Sequence, residues 1–351
     1  MTSIVKPPVR HPSLRQNSLG LTLRDYEGVM STLCAGCGHD SVTAALVQAA
    51  WELEIEPHRA AKMSGIGCSS KTTAYFMKQS HGFNSVHGRM PSVTTGAAAA
   101  NRGLTYIGIS GDGDSLSIGL GQMAHAIRRN VNMLYVIENN GVYGLTKGQF
   151  SASADVGSTS KQGGKNEQAP IDPVLLALSI GATFVARSFS GDKKQLVPIL
   201  KAGLAHTGLA LVDVISPCVT FNDHEGSTKS YKYTREHDVE AIHADYVPIH
   251  AEITLPDSDQ RVRVVQMHDG SAVRLRSTAA DYDPTDRTSA YAHVRGCQQR
   301  GEIATGLLFV DPQSREMHDL LKTPDAPLVD LPFEQLCPGA AALDALMARH
   351  R

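Results

Sequence analysis

Two cysteines three positions apart, Cys34 and Cys37, sit in the glycine turn STLCAGCGHD. Thiols at that spacing can hold zinc or an iron–sulfur cluster, form a redox dithiol or disulfide, or hold nothing. A zinc site built on CxxC usually repeats the motif or adds nearby histidines. Here the next cysteine is Cys68 in SGIGCSSK, 31 residues on, and Cys218 in VISPCVT follows 150 residues later. A second chemical feature is ISGDGDSLSIGLGQMAHAIRR, which reads as a strand, a Gly-Asp-Gly-Asp turn and a helix. Gly111 and Gly113 let backbone approach a ligand closely, and the helix start that follows offers free N–H groups and a positive dipole end to a phosphate. Asp112 and Asp114 would repel a bare phosphate, but they suit a phosphate carrying Mg²⁺, an ion that takes one or two carboxylates alongside phosphate oxygens. Asn140, in VIENNGVYGLTKGQ, lies 28 residues after Asp112. A βαβ unit of that length sets two strand ends side by side, so the Asn140 amide oxygen and the Val142 carbonyl could complete the ion's shell.

These residues need a scaffold that gathers them. From about residue 40 to 215, the apolar runs AAKMSGIG, LTYIGISG, NMLYVIEN, ATFVARSF and LALVDVIS alternate with stretches of helical period. That alternation predicts an α/β fold with a doubly wound, mostly parallel sheet. Residues just past the strand ends of such a sheet share one edge, where ligands bind. Cys68, Asp112, Asn140 and Cys218 each follow a predicted strand, so four cysteines can converge beside the phosphate loop. Four thiolates suit zinc or a cubane cluster, and of the two only the cluster brings redox chemistry. Residues 1–27 read as an N-terminal surface tail and 28–240 as the cofactor-binding domain. Residues 241–351 read as a C-terminal region packed on the main domain or on a partner, with RVRVVQMHDGSAVRLRS a hairpin turning at Asp269–Gly270.

Composition narrows the classes. A chain of 351 residues with 42% hydrophobic content has ample core for a folded protein. A net charge of -2 argues against nucleic-acid binding through bulk charge. No apolar stretch reaches membrane-spanning length, and the polar, proline-bearing N-terminus has no secretory core, so a cytoplasmic protein is expected. Six cysteines in such a chain suggest ligands or core residues over a disulfide framework.

GDGD paired with ENN at this interval resembles the diphosphate-binding half of the thiamine diphosphate enzymes. Together with CAGCGH, GIGCSSK, HGRMPSVTTGAAAANR, ENNGVYGLTKGQ and SPC, which span roughly residues 30 to 225, it resembles the β subunit of the 2-oxoacid:ferredoxin oxidoreductases. GEIATGLLFVD, residues 301–311, is similar to that family's C-terminal region. The resemblance implies thiamine diphosphate, Mg²⁺ and one [4Fe-4S] cluster. It assigns Cys34, Cys37, Cys68 and Cys218 to the cluster, and Asp112, Asn140 and Val142 to the metal. It sets Ile66, Gly67, Cys68, Ser69, His87, Gly88, Arg89, Gly113, Asp114, Gly144 and Leu145 around the cofactor. Cys297 and Cys337 match no ligand position.

The implied reaction is CoA-dependent oxidative decarboxylation of a 2-oxoacid, with electrons passing through the cluster to ferredoxin. Activating thiamine requires a glutamate from a separate pyrimidine-binding domain, for which this sequence offers no candidate. An α subunit carrying it is therefore expected, in an α2β2 heterotetramer. Lys71, three residues after Cys68, could pair with the distal carboxylate of 2-oxoglutarate and so favours that substrate and succinyl-CoA as product. Lys147 in GLTKGQ is a similar candidate. His39 reads as a hydrogen-bonding neighbour of the cluster. Pyruvate and other 2-oxoacid enzymes share these motifs, and a non-redox thiamine decarboxylase or carboligase would keep GDGD and ENN without converging cysteines.

Overall fold

The strands that read as unbroken apolar runs are buried on both faces. In the computed structural model, which describes residues 11–160, 163–249, 262–267, 269–277 and 282–350, β1 (Ala60–Ser64), β4 (Met133–Asn139) and β8 (Leu209–Ile215) are buried along their whole length. They are joined by β2 (His81–Asn84), β3 (Thr105–Gly111), β7 (Phe184–Phe189), β9 (Asp238–Val247), β10 (Val262–Gln266), β11 (Ala272–Ser277) and β12 (Ile303–Val310) in a ten-stranded sheet. The order is β10-β11-β9-β12-β7-β8-β4-β3-β1-β2. From β7 to β2 every pairing is parallel. A separate two-stranded ribbon pairs β5 (Val142–Tyr143) with β6 (Gln149–Phe150). This is the doubly wound, mostly parallel α/β architecture expected from the alternating pattern.

Connections between parallel strands must cross back over the sheet, and helices supply them. Gly38–Glu52 packs against Lys193–Ala205, and Met90–Ala100 against Leu120–Arg129. Asp172 and Asp192 cap their helices, each accepting from two backbone N–H groups of the first turn. Register sets the strand ends level: Gly111 of β3 lies opposite Glu138 of β4, and Asn139 of β4 opposite Ile215 of β8. The loops that follow therefore start at one height, along one edge.

Of the stretch read as a surface tail, residues 11–25 lie mostly exposed, but Tyr26 is fully buried and its hydroxyl accepts from Asn17. The boundary drawn at residue 240 falls within β9. Beyond it, β12 lies in the main sheet, antiparallel to β7 and parallel to β9. The expected hairpin is present: β10 pairs antiparallel with β11, and Gly270 turns with φ 85°. The closing helices, Phe333–Leu336 and Gly339–Ala348, bury none of their residues. Among the described residues no helix is long and apolar enough to cross a membrane.

Candidate active site

Four neighbouring strands, β1, β3, β4 and β8, end at the same sheet edge, and their loops carry the residues singled out by spacing. One cleft there is lined by Ile66, Gly67, Cys68 and Ser69 after β1, and by Asp112, Gly113 and Asp114 after β3. His87 joins them, with Asn140, Val142, Gly144 and Leu145 after β4. Gly88, which is buried, and Arg89, which is exposed, do not line it.

The GDGD turn opens into a π-helical turn, Gly113–Ile118, wider than an α-helix. Gly113 has to be glycine here, since a Cβ would come within 2.5 Å of the Tyr143 ring. Asp112 is 1% exposed. Its Oδ2 accepts from Ser151 Oγ, from Ser153 Oγ at 2.6 Å and from the Gly141 N–H at 3.0 Å. Among the described residues its Oδ1 meets only the Asn140 N–H, at 3.3 Å. Asn140 Oδ1 accepts from the Val142 N–H at 3.1 Å, which folds Asn140 and Val142 into one turn. Asp112, Asn140 and Val142 line the same cleft, so a carboxylate, an amide and a backbone carbonyl are available there, the oxygen donors a hard divalent cation takes. Asp114 differs. Its Oδ1 accepts from His87 Nδ1 and from the Gly88 N–H, both at 2.8 Å, and its Oδ2 accepts from Ser110 Oγ at 3.0 Å. Asp114 thus pins the His87–Gly88 turn to the GDGD loop.

The CxxC turn docks on the loop after β8: the Gly38 N–H donates to Pro217 O at 3.2 Å, and Tyr231 Oη to Gly36 O at 3.1 Å. Cys37 is thereby brought within electrostatic reach of Cys68 and Cys218, as is Cys34. A Cβ on Gly144 would lie 3.5 Å from Cys68 Sγ and 3.6 Å from Cys218 Sγ, so both sulfurs face that backbone. Burial pushes the Cys37 thiol up to about 12 and raises Cys68 and Cys218 too. Among the described residues, no three or more His, Cys, Asp and Glu side chains form a group that could hold a metal ion as they stand. A cubane is held at its corners, so its four sulfurs stand farther apart than the ligands of one ion. Three half-buried thiols and the exposed Cys34, with Cys68 and Cys218 facing the Gly144 backbone, fit such a group. Cys297 is buried and Cys337 exposed, both outside this cleft.

Two further residues were not legible as a pair. Glu138, the next-to-last residue of β4, is wholly buried in the cleft wall, and burial raises its pKa well above the usual carboxylate range. Thr72 Oγ1 lies 3.1 Å from both of its oxygens. His39, 1% exposed, shares a 2.6 Å hydrogen bond between Nδ1 and Ser216 Oγ, and burial lowers it to about 4. Its Nδ1 is 3.6 Å from Glu138 Oε2, and its Nε2 is 3.5 Å from Asn140 Nδ2. The sequence signal for Glu138 is faint: a carboxylate inside an otherwise apolar strand.

Lys71 ends a short turn, Ser69–Lys71, and its charge lowers the Cys68 thiol against the larger effect of burial. Lys147 is exposed and has φ 77°, an uncommon backbone state for a residue with a side chain.

A buried phosphate-loop helix, an oxygen donor set and a parallel sheet edge define the diphosphate-binding class of thiamine enzymes. The family model for the thiamine pyrophosphate enzyme C-terminal TPP binding domain matches residues 65–214. The chain is 43% identical over 199 residues to a 2-oxoacid:ferredoxin oxidoreductase subunit beta of Saccharolobus solfataricus, covering 56% of this chain and 65% of that one. It is 35% identical over 190 residues to the 2-oxoglutarate synthase subunit KorB of Methanocaldococcus jannaschii, covering 54% of this chain and 69% of that one. Its fold matches a solved 2-oxoglutarate:ferredoxin oxidoreductase from Magnetococcus marinus, described with 2-oxoglutarate, coenzyme A and succinyl-CoA bound. That match has a TM-score of 0.70 and 30% identity, and covers 86% of this chain and 89% of that one. The chain belongs to the β-subunit family of the 2-oxoacid:ferredoxin oxidoreductases. Its aligned part spans less than two thirds of the Saccharolobus relative.

Proposed function

We propose that this chain supplies the diphosphate- and cluster-binding half of a CoA-dependent 2-oxoacid:ferredoxin oxidoreductase, with 2-oxoglutarate as substrate and succinyl-CoA and CO2 as products. The observation that carries this reading is the meeting of two donor sets at one sheet edge: Asp112, Asn140, Val142 and Cys68 line one cleft, and Cys34, Cys37 and Cys218 lie within electrostatic reach of Cys68. The oxygen donors would hold Mg²⁺ and the four thiols a [4Fe-4S] cluster. Bound thiamine diphosphate supplies the electron sink for CO2 loss, and the cluster supplies one-electron transfer toward ferredoxin.

The chain's own residues do the rest. Gly111 and Gly113 admit the diphosphate to the backbone. Ile66 to Ser69, together with His87, Gly144 and Leu145, wall the cofactor. Asp114 holds His87 and Gly88 in place, and His87 from that turn lines the cleft. Lys71, and more distantly Lys147, would pair with the second carboxylate of a dicarboxylic substrate. The β-subunit names of the relatives support a partner α subunit, which would bring the pyrimidine-binding glutamate in an α2β2 assembly. Half-buried free thiols suit the reducing cytoplasm.

The test is anaerobic co-expression with the α subunit. A brown complex that bleaches with dithionite and reduces ferredoxin on adding 2-oxoglutarate and CoA meets the expectation. Steady 2-oxoacid oxidation by this chain alone would refute the half-site reading, and a colourless but active complex would refute the cluster.

A further inference from the structure

The GDGD loop is backed by two serines that its sequence motif does not include. Ser151 and Ser153 follow the β5–β6 ribbon and are 6% and 2% exposed. Both hydroxyls reach the same oxygen of Asp112, Oδ2. With the Gly141 N–H, that oxygen has three donors, while among the described residues Oδ1 has only the 3.3 Å contact to the Asn140 N–H. Ser153 is itself held. It lies 2.9 Å from Asn139 Oδ1, and Asn139 Nδ2 donates to Asp213 Oδ1 at 3.0 Å. Asp213 takes Arg187 Nε on its other oxygen at 2.7 Å. All of these side chains are buried. Ser153 has one proton for two acceptors, Asp112 Oδ2 at 2.6 Å and Asn139 Oδ1 at 2.9 Å, and the shorter contact takes the larger share of it.

We infer that Ser151 and Ser153 are positioning residues that occupy one oxygen of Asp112 and thereby present the other, Oδ1, to the divalent cation. The inference rests on the reading of Asp112 as a magnesium ligand. A carboxylate free to turn could offer either oxygen or both. Mg²⁺ demands near-ideal octahedral geometry, whereas Ca²⁺ accepts variable, often bidentate ligation. Outer donors that orient a ligand matter most for the stricter ion, and their loss commonly costs about ten- to a hundredfold in metal affinity.

The experiment uses the assembled complex exchanged into metal-free buffer with excess thiamine diphosphate. Mg²⁺ and, separately, Ca²⁺ are titrated while cofactor binding is followed by intrinsic fluorescence, with iron content and unloaded melting temperature as further readouts. Ser151→Ala and Ser153→Ala, made singly, should each raise the half-saturating Mg²⁺ about tenfold and the half-saturating Ca²⁺ less than about threefold. Iron content should stay at the parent's value, and the unloaded melting temperature should fall slightly, as loss of one buried hydrogen bond requires. Ser153→Thr, which keeps the hydroxyl, should restore the parent's Mg²⁺ requirement. An unchanged Mg²⁺ requirement overturns the inference, and so does an equal rise for both ions, which would report lost packing alone. Asp112→Ala separates the two levels. If it binds cofactor and Mg²⁺ like the parent, the metal reading itself falls. If it fails to bind while both serine variants behave like the parent, only the positioning role falls.

Discussion

Cys68 and Cys218, 150 residues apart in the chain, turn their sulfurs toward the same backbone atom, the α-carbon of Gly144. The ends of β1 and β8 lie on the same sheet edge with β3 and β4 between them, and the Gly144 loop after β4 lies between the two sulfurs. Serine at Cys34, Cys37, Cys68 or Cys218 should strip the complex of most of its iron, while serine at Cys297 or Cys337 should leave iron content at the parent level. Gly144→Val puts methyl groups where the two sulfurs point and should also lower iron. Iron assay and absorbance near ~400 nm, the region of cluster charge transfer, measure both effects. Full iron in Cys218→Ser overturns the assignment.

Glu138 yields a signed pH prediction. Burial raises its folded pKa well above the 4.5 of an exposed glutamate. Between those two values the unfolded chain releases this proton and the folded chain keeps it, so the Glu138 contribution to stability falls as pH rises from about 4.5. Glu138→Gln keeps the shape and removes the ionisation. It should melt at a higher temperature than the parent at pH 7.5 and at nearly the same temperature at pH 4. A variant less stable at both pH values would mean that the carboxyl makes a bond glutamine cannot replace.

Lys71 addresses substrate choice. Loss of a charge-assisted contact in a partly dry pocket costs roughly 1.5–3 kcal/mol. Lys71→Leu should therefore lower kcat/KM for 2-oxoglutarate by at least about tenfold. Activity on pyruvate or 2-oxobutyrate should hold or rise. An equal fall on all three substrates would assign Lys71 to cofactor support, and no change on any would leave it a solvated lysine.

Asp114 accepts from His87 and Gly88 after β2, from Ser110 at the end of β3 and, at 3.5 Å, from the Ile66 N–H after β1, and removing it leaves the buried Gly88 N–H and Ser110 hydroxyl without this acceptor. Asp114→Ala should cost about 2 kcal/mol, on the scale of unsatisfied buried donors, read as a lower denaturant midpoint. It should also weaken thiamine diphosphate binding, because the His87–Gly88 turn loses its tether. Asp114→Asn keeps acceptor capacity and should lose less on both measures. If Asp114→Ala unfolds at the parent midpoint, the tether is not a stabilising contact.

Much of this arrangement was legible along the chain. The runs ending in Ser64, Gly111, Asn139, Phe189 and Ile215 announce themselves because a strand buried on both faces reads as a near-continuous apolar run, interrupted here by Lys62, Glu138, Arg187 and Asp213. GDGD and ENN are legible because one βαβ unit separates them, so their distance in space follows from their spacing in sequence. The outer strands were less visible. β2 is exposed along its length, and β9 mixes His243, Asp245 and Glu240 with buried Ala241 and Ile242. Such patterns become strands only when a neighbour offers hydrogen bonds, as β12 does for β9.

By itself the sequence determined the strand–helix alternation, the two-glycine turn after β3 and which residues are candidate oxygen and sulfur donors, since these depend on residue type and short-range spacing. Tertiary structure alone decided how the donors divide their work. Asp112 and Asp114 stand two residues apart in one motif, yet one has an oxygen nearly free and the other is tied to His87, Gly88 and Ser110. Nothing in their shared motif separates them. The difference comes from which buried donors distant segments bring to each carboxylate: Ser151 and Ser153 from beyond β6 for one, the turn after β2 for the other. A buried carboxylate takes the orientation that satisfies its partners, and those partners are assembled only when the sheet closes.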